Sequence, residues 1–252
     1  MLTMQIQPSK VNKILFFFTL FLVCTLNVQA KNYVVSIGIA DYPGKDVDLR
    51  LSATDAITMK ELYEKNGDAE VVVYTNEQAR IDIIRNVANE MFSKASAADA
   101  ITFFFSGHGV PGSFICYDGV LKYEELTSIM SKSLANTKMV FADACFAGKA
   151  RQEDSVDDGG NKAVNVLFFL SSRSNETSEE RKHGWKNSLF TGYLERGLRG
   201  GADINKDRTI TARELFLFVS KGVAEQSRQK QHPVMWGKFD DNMPIMSWKK
   251  KK

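Results

Sequence analysis

The sequence predicts one α/β domain with a mostly parallel central sheet of five or six strands. Two observations predict it: short apolar runs alternate with segments of helical periodicity, and no internal repeat interrupts this order. A chain of 252 residues, 44% hydrophobic and 11% aromatic, can also bury a large core. This composition excludes intrinsic disorder and a disulfide-stapled miniprotein.

Nearly continuous apolar runs are predicted as strands covered on both faces: residues 33–39, 70–74, 100–105, 138–142 and 164–170. The amphipathic segments among them are predicted as helices: one opening near Thr54 and carrying Ile57, one over 84–91, one over 123–133, and one around Phe190 that ends at Gly200 and Gly201. Residues 113–117 and 119–121 are predicted as a small appended hairpin.

The first 30 residues have the pattern of a secretory signal peptide. Lys10 and Lys13 precede an apolar run over 14–26, and Ala30 marks the expected cleavage site. This run is shorter than the about 20 residues that a membrane helix needs, and an uncleaved anchor is the alternative. We therefore expect an exported protein, periplasmic or secreted, with no stable membrane span after cleavage.

The charge balance gives no reason to expect a nucleic-acid partner. The chain carries 33 basic and 30 acidic side chains. Removing Lys10 and Lys13 with the leader leaves a balance of 31 to 30. Nucleic-acid binding requires a basic stripe, and the lysines that end the chain are interpreted as a solvated tail.

Two motifs that follow predicted strands carry the candidate chemistry. The strand 100–105 runs into Ser-Gly-His-Gly (106–109), and the strand 138–142 runs into Asp-Ala-Cys-Phe-Ala-Gly (143–148). Ligands bind beyond the carboxyl ends of strands in such sheets, so His108 and Cys145 face each other if these strands are neighbours. A thiolate nucleophile and an imidazole that handles protons are the minimum for cysteine-type acyl transfer.

These motifs resemble those of the caspase-like cysteine peptidases, which include caspases, metacaspases and their bacterial relatives. The resemblance implies a three-layer αβα fold, Cys145 as the nucleophile, His108 as the general acid/base, and the backbone amides of Gly109 and Cys145 as the oxyanion hole. The interval of 37 residues between His108 and Cys145 is shorter than the roughly 50 of caspases. Weaker likenesses cover nearly all of the chain after the leader: 33–42, 51–56, 168–180, 188–203 and 231–237.

Asp143 indicates the substrate preference. Caspases have glutamine two residues before the nucleophile, and residues two apart on a strand point to the same side, so the Asp143 carboxylate is expected beside Cys145. A carboxylate in a substrate pocket favours a cationic P1 side chain. Metacaspases, which the chain resembles more closely here, cleave after Arg or Lys, and Asp55 matches their second acidic position. The alternative for Asp55 is a carboxylate that interacts with the amides at its own helix N-terminus.

The polar segment 149–162 is predicted as a long loop. Relatives often carry a cleavable linker here, and Lys149, Arg151 and Lys162 are basic sites where an Arg/Lys peptidase could cut itself; a solvated loop is the alternative. Cys116 is interpreted as a half-buried structural thiol, with a disulfide to Cys145 as the alternative.

A second motif has the spacing of an EF-hand calcium loop. Its oxygen-bearing side chains match positions 1, 3, 5, 7, 9 and 12 of that loop: Asp203, Asn205, Asp207, Thr209, Thr211 and Glu214. Arg208 departs from the pattern, because glycine normally permits the sharp turn there. From the sequence we expect that the protein requires no cofactor. This loop is compatible with Ca²⁺ binding, with a capped turn as the alternative.

Together, these features predict an exported cysteine endopeptidase that hydrolyses peptide bonds after Arg or Lys through Cys145 and His108. The alternatives are a peptidase of the same fold with another P1 preference, and a non-catalytic module of that fold that binds peptides or partner proteins.

Overall fold

The computed structural model of the chain describes residues 30–44, 46–144, 166–172 and 186–248. The predicted leader up to residue 29, Cys145 and the predicted loop 149–162 lie outside the described residues. None of the helices in the described part is long and apolar enough to cross a membrane.

The described residues form strands and helices in alternation over most of the chain. In chain order they are β1 (Asn32–Gly38), α1 (Ser52–Asn66), β2 (Ala69–Thr75), α2 (Ile81–Ser93), β3 (Ala100–Ser106), β4 (Gly109–Val110), β5 (Ser113–Ile115), β6 (Val120–Lys122), α3 (Tyr123–Ser131), β7 (Thr137–Asp143), β8 (Leu167–Leu170), α4 (Leu189–Arg196), β9 (Thr209–Thr211), α5 (Ala212–Gln226), β10 (Val234–Gly237) and β11 (Pro244–Ser247).

A six-stranded sheet in the order β10-β8-β7-β3-β1-β2 forms the centre of the domain. Its strands are parallel except for β10, which runs antiparallel to β8. The predicted mostly parallel sheet and its five predicted strands are confirmed. The strands are mostly apolar, as expected where helices cover both faces of the sheet.

Two hydrophobic cores, one on each face, define three layers. Side chains of α2 and α3 pack on one face, among them Ile84, Met91 and Leu126. Side chains of α1, α4 and α5 pack on the other, among them Leu62 and Leu194. The predicted αβα arrangement is therefore confirmed.

Two expectations about local structure are corrected. Ile57 was expected on the apolar face of α1 but is 45% exposed, because Ala56, Met59, Leu62 and Tyr63 form the buried face. The appended hairpin is part of a three-stranded sheet, since β4 pairs with β5 and β5 with β6.

A separate pair of strands, β9 with β11, was not predicted, because strands of three or four residues carry little periodicity.

The strand order reverses between β1 and β3. The chain leaves β1 through α1 toward β2 on one side, and it leaves β3 through α3 toward β7 on the other side. Connections that leave neighbouring strands toward opposite faces separate at this point, which is where open α/β sheets bind ligands.

The strands β3 and β7 are neighbours, as the motif argument required. Ser106, the last residue of β3, pairs in register with Asp143, the last residue of β7. The Gly107 N–H donates to the Asp143 carbonyl oxygen at 3.1 Å, which extends the pairing beyond the strand. The segments that follow, with His108 and Cys145 in their sequences, therefore start at the same level of the sheet.

Gly38 permits close contact between the end of β1 and the start of α1. A Cβ atom at this position would lie 2.2 Å from the Ser52 carbonyl oxygen and 2.7 Å from the Ala56 Cβ. The first turn of α1 contains Asp55, so this contact sets how close Asp55 comes to the strand ends.

We expect Gly38→Ala to destabilise the protein by about 1–3 kcal/mol, because the added methyl group meets backbone that cannot rotate away. Urea denaturation measures this difference. Gly67→Ala is the matched control: a Cβ atom there has nothing within 4 Å, so its free energy of unfolding should change by less than about 0.5 kcal/mol. Equal effects of the two substitutions would contradict the close-contact argument.

Candidate active site at the carboxyl ends of the parallel strands

His108 lies two residues beyond β3 and is held at three points. Its N–H donates to the Tyr42 hydroxyl at 2.8 Å, and its carbonyl accepts from the Ile115 N–H at 2.9 Å. Its ring nitrogen Nε2 lies 2.6 Å from the Val47 carbonyl oxygen. A carbonyl oxygen can only accept, so Nε2 carries the hydrogen and Nδ1 of the neutral ring carries the lone pair. The imidazole is thus prepared to take a proton at Nδ1.

The remaining residues of the predicted catalytic machinery are only partly described. Gly109 follows His108 and begins β4, where it pairs with Phe114. Cys145 lies outside the described residues, as do the predicted self-cleavage sites Lys149, Arg151 and Lys162. The contact between thiol and imidazole and the oxyanion hole therefore stay predictions.

The chain is fixed up to Ala144, the residue that precedes Cys145. The Ser171 hydroxyl accepts from the Ala144 N–H and donates to the Ala144 carbonyl, both at 3.1 Å. The fully buried Gln231 in turn donates from its side-chain amide to the Ser171 carbonyl at 2.9 Å. Ser171 was not singled out from the sequence, although it directly follows a predicted strand, as the motif residues do.

Asp143 is 4% exposed and bonds to the N-terminus of α4. Its Oδ2 accepts from the N–H and from the hydroxyl of Thr191, at 3.1 and 2.9 Å. Thr191 lies in the first turn of α4, where N–H groups lack partners within the helix and the helix dipole favours negative charge. The helix N-terminus thus stabilises the Asp143 carboxylate.

Asp55 is fully buried and lies beside the same helix. Its Oδ1 accepts from the Asn187 side-chain amide at 2.9 Å and from the Ser188 N–H at 3.0 Å. Its Oδ2 accepts from the hydroxyls of Ser106 and Ser188. These four donors are uncharged and belong to β3 and to the segment before α4. Asp55 is therefore bonded across the strand ends to other elements of the fold, and its part in a substrate pocket stays a prediction.

The two carboxylates interact electrostatically. Burial, and next the negative charge of Asp143, raise the pKa of Asp55 from its usual value near 3.8 to about 7, although the bonds from Ser188, Asn187 and Ser106 lower it. Asp143 and Asp55 were both predicted from the sequence, and the structure brings them together. It adds Ser106, Asn187, Ser188 and Thr191 as their donors.

The donors could not be recognised individually in the sequence. Ser106 was visible as the first residue of the Ser-Gly-His-Gly motif, but its bond to Asp55 spans 51 positions. Asn187 and Ser188 lie 132 and 133 positions from Asp55. No local pattern connects residues so far apart.

The predicted calcium loop has its side chains directed at its own backbone. The Asp207 N–H donates to Asp203 and Asn205, the Arg208 N–H to Asp203, and the Thr209 N–H to Asp207. The Glu214 carboxylate accepts from the Thr211 N–H and hydroxyl and caps α5.

The same loop departs from an EF-hand at Arg208, which has a φ of 70° where glycine is usual. Among the described residues, no group of three or more His, Cys, Asp or Glu side chains is arranged to hold a metal ion. The oxygen donors of the loop suit Ca²⁺ in kind, and calcium binding stays a prediction.

Cys116 is more buried than expected. It was predicted to be half-buried but is 1% exposed, because it packs into the core covered by α2 and α3. Cys116 is a free thiol, and burial raises its pKa to about 12. It is therefore a structural thiol and an unreactive one at neutral pH.

The three-layer fold and the site at the strand ends are those of the caspase-fold proteins. A family model described as the caspase domain matches residues 31–243, and the chain belongs to this family of cysteine peptidases.

Solved structures show the same fold at low sequence identity. A crystal structure of a protein from Geobacter sulfurreducens is 17% identical with a TM-score of 0.64, and the alignment covers 87% of this chain and 100% of that one. Caspase-1 from Spodoptera frugiperda is 17% identical with a TM-score of 0.64 over 88% and 92% of the two chains. The structure of pro-sf-caspase-1 is 15% identical with a TM-score of 0.64 over 90% and 94%. A sequence search of curated proteins found no match.

The raised pKa of Asp55 predicts a particular pH dependence of stability. In the folded state Asp55 binds its proton up to a pH of about 7, whereas in the unfolded state it releases the proton near pH 3.9. The folded state thus binds more protons between these values, and the contribution of Asp55 to stability falls as the pH rises through this window.

We therefore expect the difference in free energy of unfolding, wild type minus Asp55→Asn, to fall between pH 5 and pH 7 by up to about 1.4 kcal/mol per pH unit. Urea denaturation at several pH values measures it. Asp82→Asn, at an exposed position of α2, is the charge-matched control. A difference for Asp55→Asn that stays constant or rises across this range would show that Asp55 is ionised throughout.

Proposed function

We propose that this caspase-family protein is an exported cysteine endopeptidase that hydrolyses peptide bonds on the carboxyl side of Arg or Lys. The observation that carries the basic preference is the pair of buried carboxylates: Asp143 ends β7, and Asp55 bonds to Ser106 at the end of β3, the strand that leads to His108. Both accept hydrogen bonds around the N-terminus of α4.

A cationic P1 side chain complements this arrangement. A carboxylate in a buried environment, such as that of Asp143, attracts a cation more strongly than it would in water, because the effective dielectric constant is lower. Asp143 is the residue we assign to contact P1, since it directly ends the strand that leads to Cys145. Asp55 is fully buried, so we assign it to act from behind Asp143, through its bonds to Ser106 and Ser188 and, above its raised pKa, through its negative charge. An acidic P1 side chain would be repelled.

The proposed reaction is acyl transfer through Cys145 and His108. His108 takes the thiol proton at Nδ1, and the sulfur of Cys145 forms a bond to the carbonyl carbon of the P1 Arg or Lys residue. The carbon–nitrogen bond then breaks, His108 gives its proton to the leaving amine, and water hydrolyses the thioester with His108 as the base. The roles of Cys145 and of the amides of Gly109 and Cys145 rest on the motif and on the family.

Two features support export. The family match begins at residue 31, directly after the cleavage site that the sequence predicts at Ala30. The part of the chain before it has the charged, then apolar, then small-residue order of a leader. Mass spectrometry of the protein recovered from expressing cells tests this proposal by showing whether the chain begins at Lys31.

The dyad is tested with the purified protein under reducing conditions and fluorogenic peptides that carry Arg, Lys or Asp at P1. We expect turnover after Arg and Lys, and a loss of at least about 10³-fold in kcat for Cys145→Ala and for His108→Ala. Cys116→Ala, which removes the structural thiol, should retain turnover. Assays with calcium and with a chelator, beside calorimetric titration with calcium, test the loop at Asp203.

The outcomes separate the alternatives. Cleavage after Asp would retain the dyad and overturn the basic preference. Absence of cleavage, in intact chains and in chains nicked within 149–162, would favour a non-catalytic binding module.

The acidic pair is tested by comparing peptides with Arg and with citrulline at P1, which have nearly the same shape but differ in charge. For Asp143→Asn we expect kcat/KM for Arg to fall at least tenfold, and the ratio of Arg to citrulline to fall with it, since the lost ion pair is worth about 2–5 kcal/mol. Asp99→Asn removes another buried acid, 8% exposed, at the opposite end of β3, and should leave the ratio unchanged. An unchanged ratio in Asp143→Asn would remove Asp143 from the P1 pocket.

A further inference from the structure

We infer that Tyr42 is a positioning residue for His108: its buried hydroxyl fixes the backbone of the general acid/base and thereby the place of Nδ1. The inference rests on the proposed role of His108 in the reaction. It concerns a residue that lies 66 positions before His108 in the sequence and that no motif singled out as functional.

The Tyr42 hydroxyl connects two segments of the site. It accepts from the His108 N–H at 2.8 Å and donates to the Ile115 carbonyl oxygen at 3.0 Å. An N–H only donates and a carbonyl only accepts, so the hydroxyl hydrogen points to Ile115 and a lone pair points to His108. Tyr42 is 6% exposed, so water does not readily replace either bond, and a buried group without its partner is costly.

The hydroxyl also keeps one protonation state. Burial raises the pKa of Tyr42 above its usual value, while the bond from the His108 backbone lowers it less. The donor to Ile115 is therefore retained over the pH range in which a cysteine peptidase works.

The segment that supplies the hydroxyl also holds the imidazole. The Tyr42 N–H donates to the Asp48 carboxylate at 3.1 Å, which closes the turn that carries Val47. The Val47 carbonyl bonds to Nε2 of His108, and the Tyr42 ring lies 4.8 Å from the imidazole, centroid to centroid. One turn thus restrains both the backbone and the ring of His108.

Gly107 is the residue that allows this contact. A Cβ atom at position 107 would lie 2.5 Å from the Tyr42 hydroxyl oxygen. The glycine before His108 in the Ser-Gly-His-Gly motif therefore serves the approach of Tyr42, in addition to any approach of a ligand.

Loss of the Tyr42 hydroxyl should remove the hydrogen bond that holds the His108 backbone N–H. A displacement of about 1 Å at a reacting group costs on the order of 10²-fold in rate. For Tyr42→Phe we therefore expect kcat to fall roughly 10- to 100-fold, with KM changed less than about twofold, because the Tyr42 hydroxyl bonds to the backbone of His108 and Ile115.

The experiment compares Tyr42→Phe with Tyr63→Phe in the full chain carrying Cys24→Ala and Cys116→Ala, so that Cys145 is the one remaining cysteine. Tyr63 is 1% exposed, and its hydroxyl lies 3.4 Å from that of Thr102 in the core on the other face of the sheet, so the control also removes a buried hydroxyl. The measurements are kcat and KM for the best peptide, and the rate of Cys145 alkylation by iodoacetamide between pH 5 and 9.

Alkylation reports the thiolate without a peptide substrate. Because a well-placed imidazolium stabilises the thiolate, we expect the midpoint of the alkylation profile to move to higher pH by at least about half a unit in Tyr42→Phe and to stay in place in Tyr63→Phe. Loss of stability alone would affect both variants and would not move this midpoint.

The outcomes separate this inference from the proposed function. If the wild type cleaves no peptide, the proposed function fails, and the alkylation profiles still decide about Tyr42. If Tyr42→Phe matches Tyr63→Phe in kcat and in midpoint, the inference is overturned. If Tyr42→Phe does not fold, Asp48→Ala decides: Asp48 is exposed, its loss releases the Tyr42 N–H, and kcat unchanged from wild type would overturn the inference.

Discussion

The parallel pairing of β3 with β7 is the constraint on which the site depends. Each strand is fixed by the two cores that cover the sheet, and their last residues, Ser106 and Asp143, pair in register. The polar segments beyond them are therefore brought together by the hydrophobic burial of residues that take no part in the chemistry. The site residues gain their positions from the sheet, and their own hydrogen bonds refine those positions.

The two acidic residues, Asp143 and Asp55, are energetically costly to bury at this place in the fold. Burying a carboxylate without a cation is unfavourable, and a second carboxylate nearby makes it more so. The N-terminus of α4 and the neutral donors around Asp55 reduce this cost, and the raised pKa of Asp55 shows that they do not remove it. A core optimised for stability would have apolar residues here. Such residual strain is typical of a site whose complementary charge comes with the ligand.

The sequence predicted the sheet well and singled out Asp143 because both leave local signals, whereas Asp55 came from the resemblance to the family, and the role of the two acids in a substrate pocket stays a prediction. Long apolar strands and chemically distinct residues at their ends can be recognised without knowing the fold. Ile57 and Cys116 were misjudged because side-chain burial depends on which helix face packs and on what covers a strand end, and neither follows from composition. The donors Asn187, Ser188 and Thr191 could not be found, since α4 reaches the carboxylates only through the strand order. Tyr42 was hidden for the same reason: it follows β1, whereas its partner His108 follows the neighbouring strand β3.

The restraint on His108 favours catalysis over passive binding. A peptide-binding groove needs exposed donors and acceptors, and it has no use for an imidazole with one defined tautomer. Here the backbone N–H, the backbone carbonyl and Nε2 of His108 each have a partner, which leaves Nδ1 as the nitrogen with a lone pair. Fixing a proton acceptor in this way restricts the His108 side chain. It also uses the buried Tyr42 hydroxyl for hydrogen bonds to two backbone groups. Such a restriction is useful when a proton must be taken and returned at one place, which is the task of the base in acyl transfer.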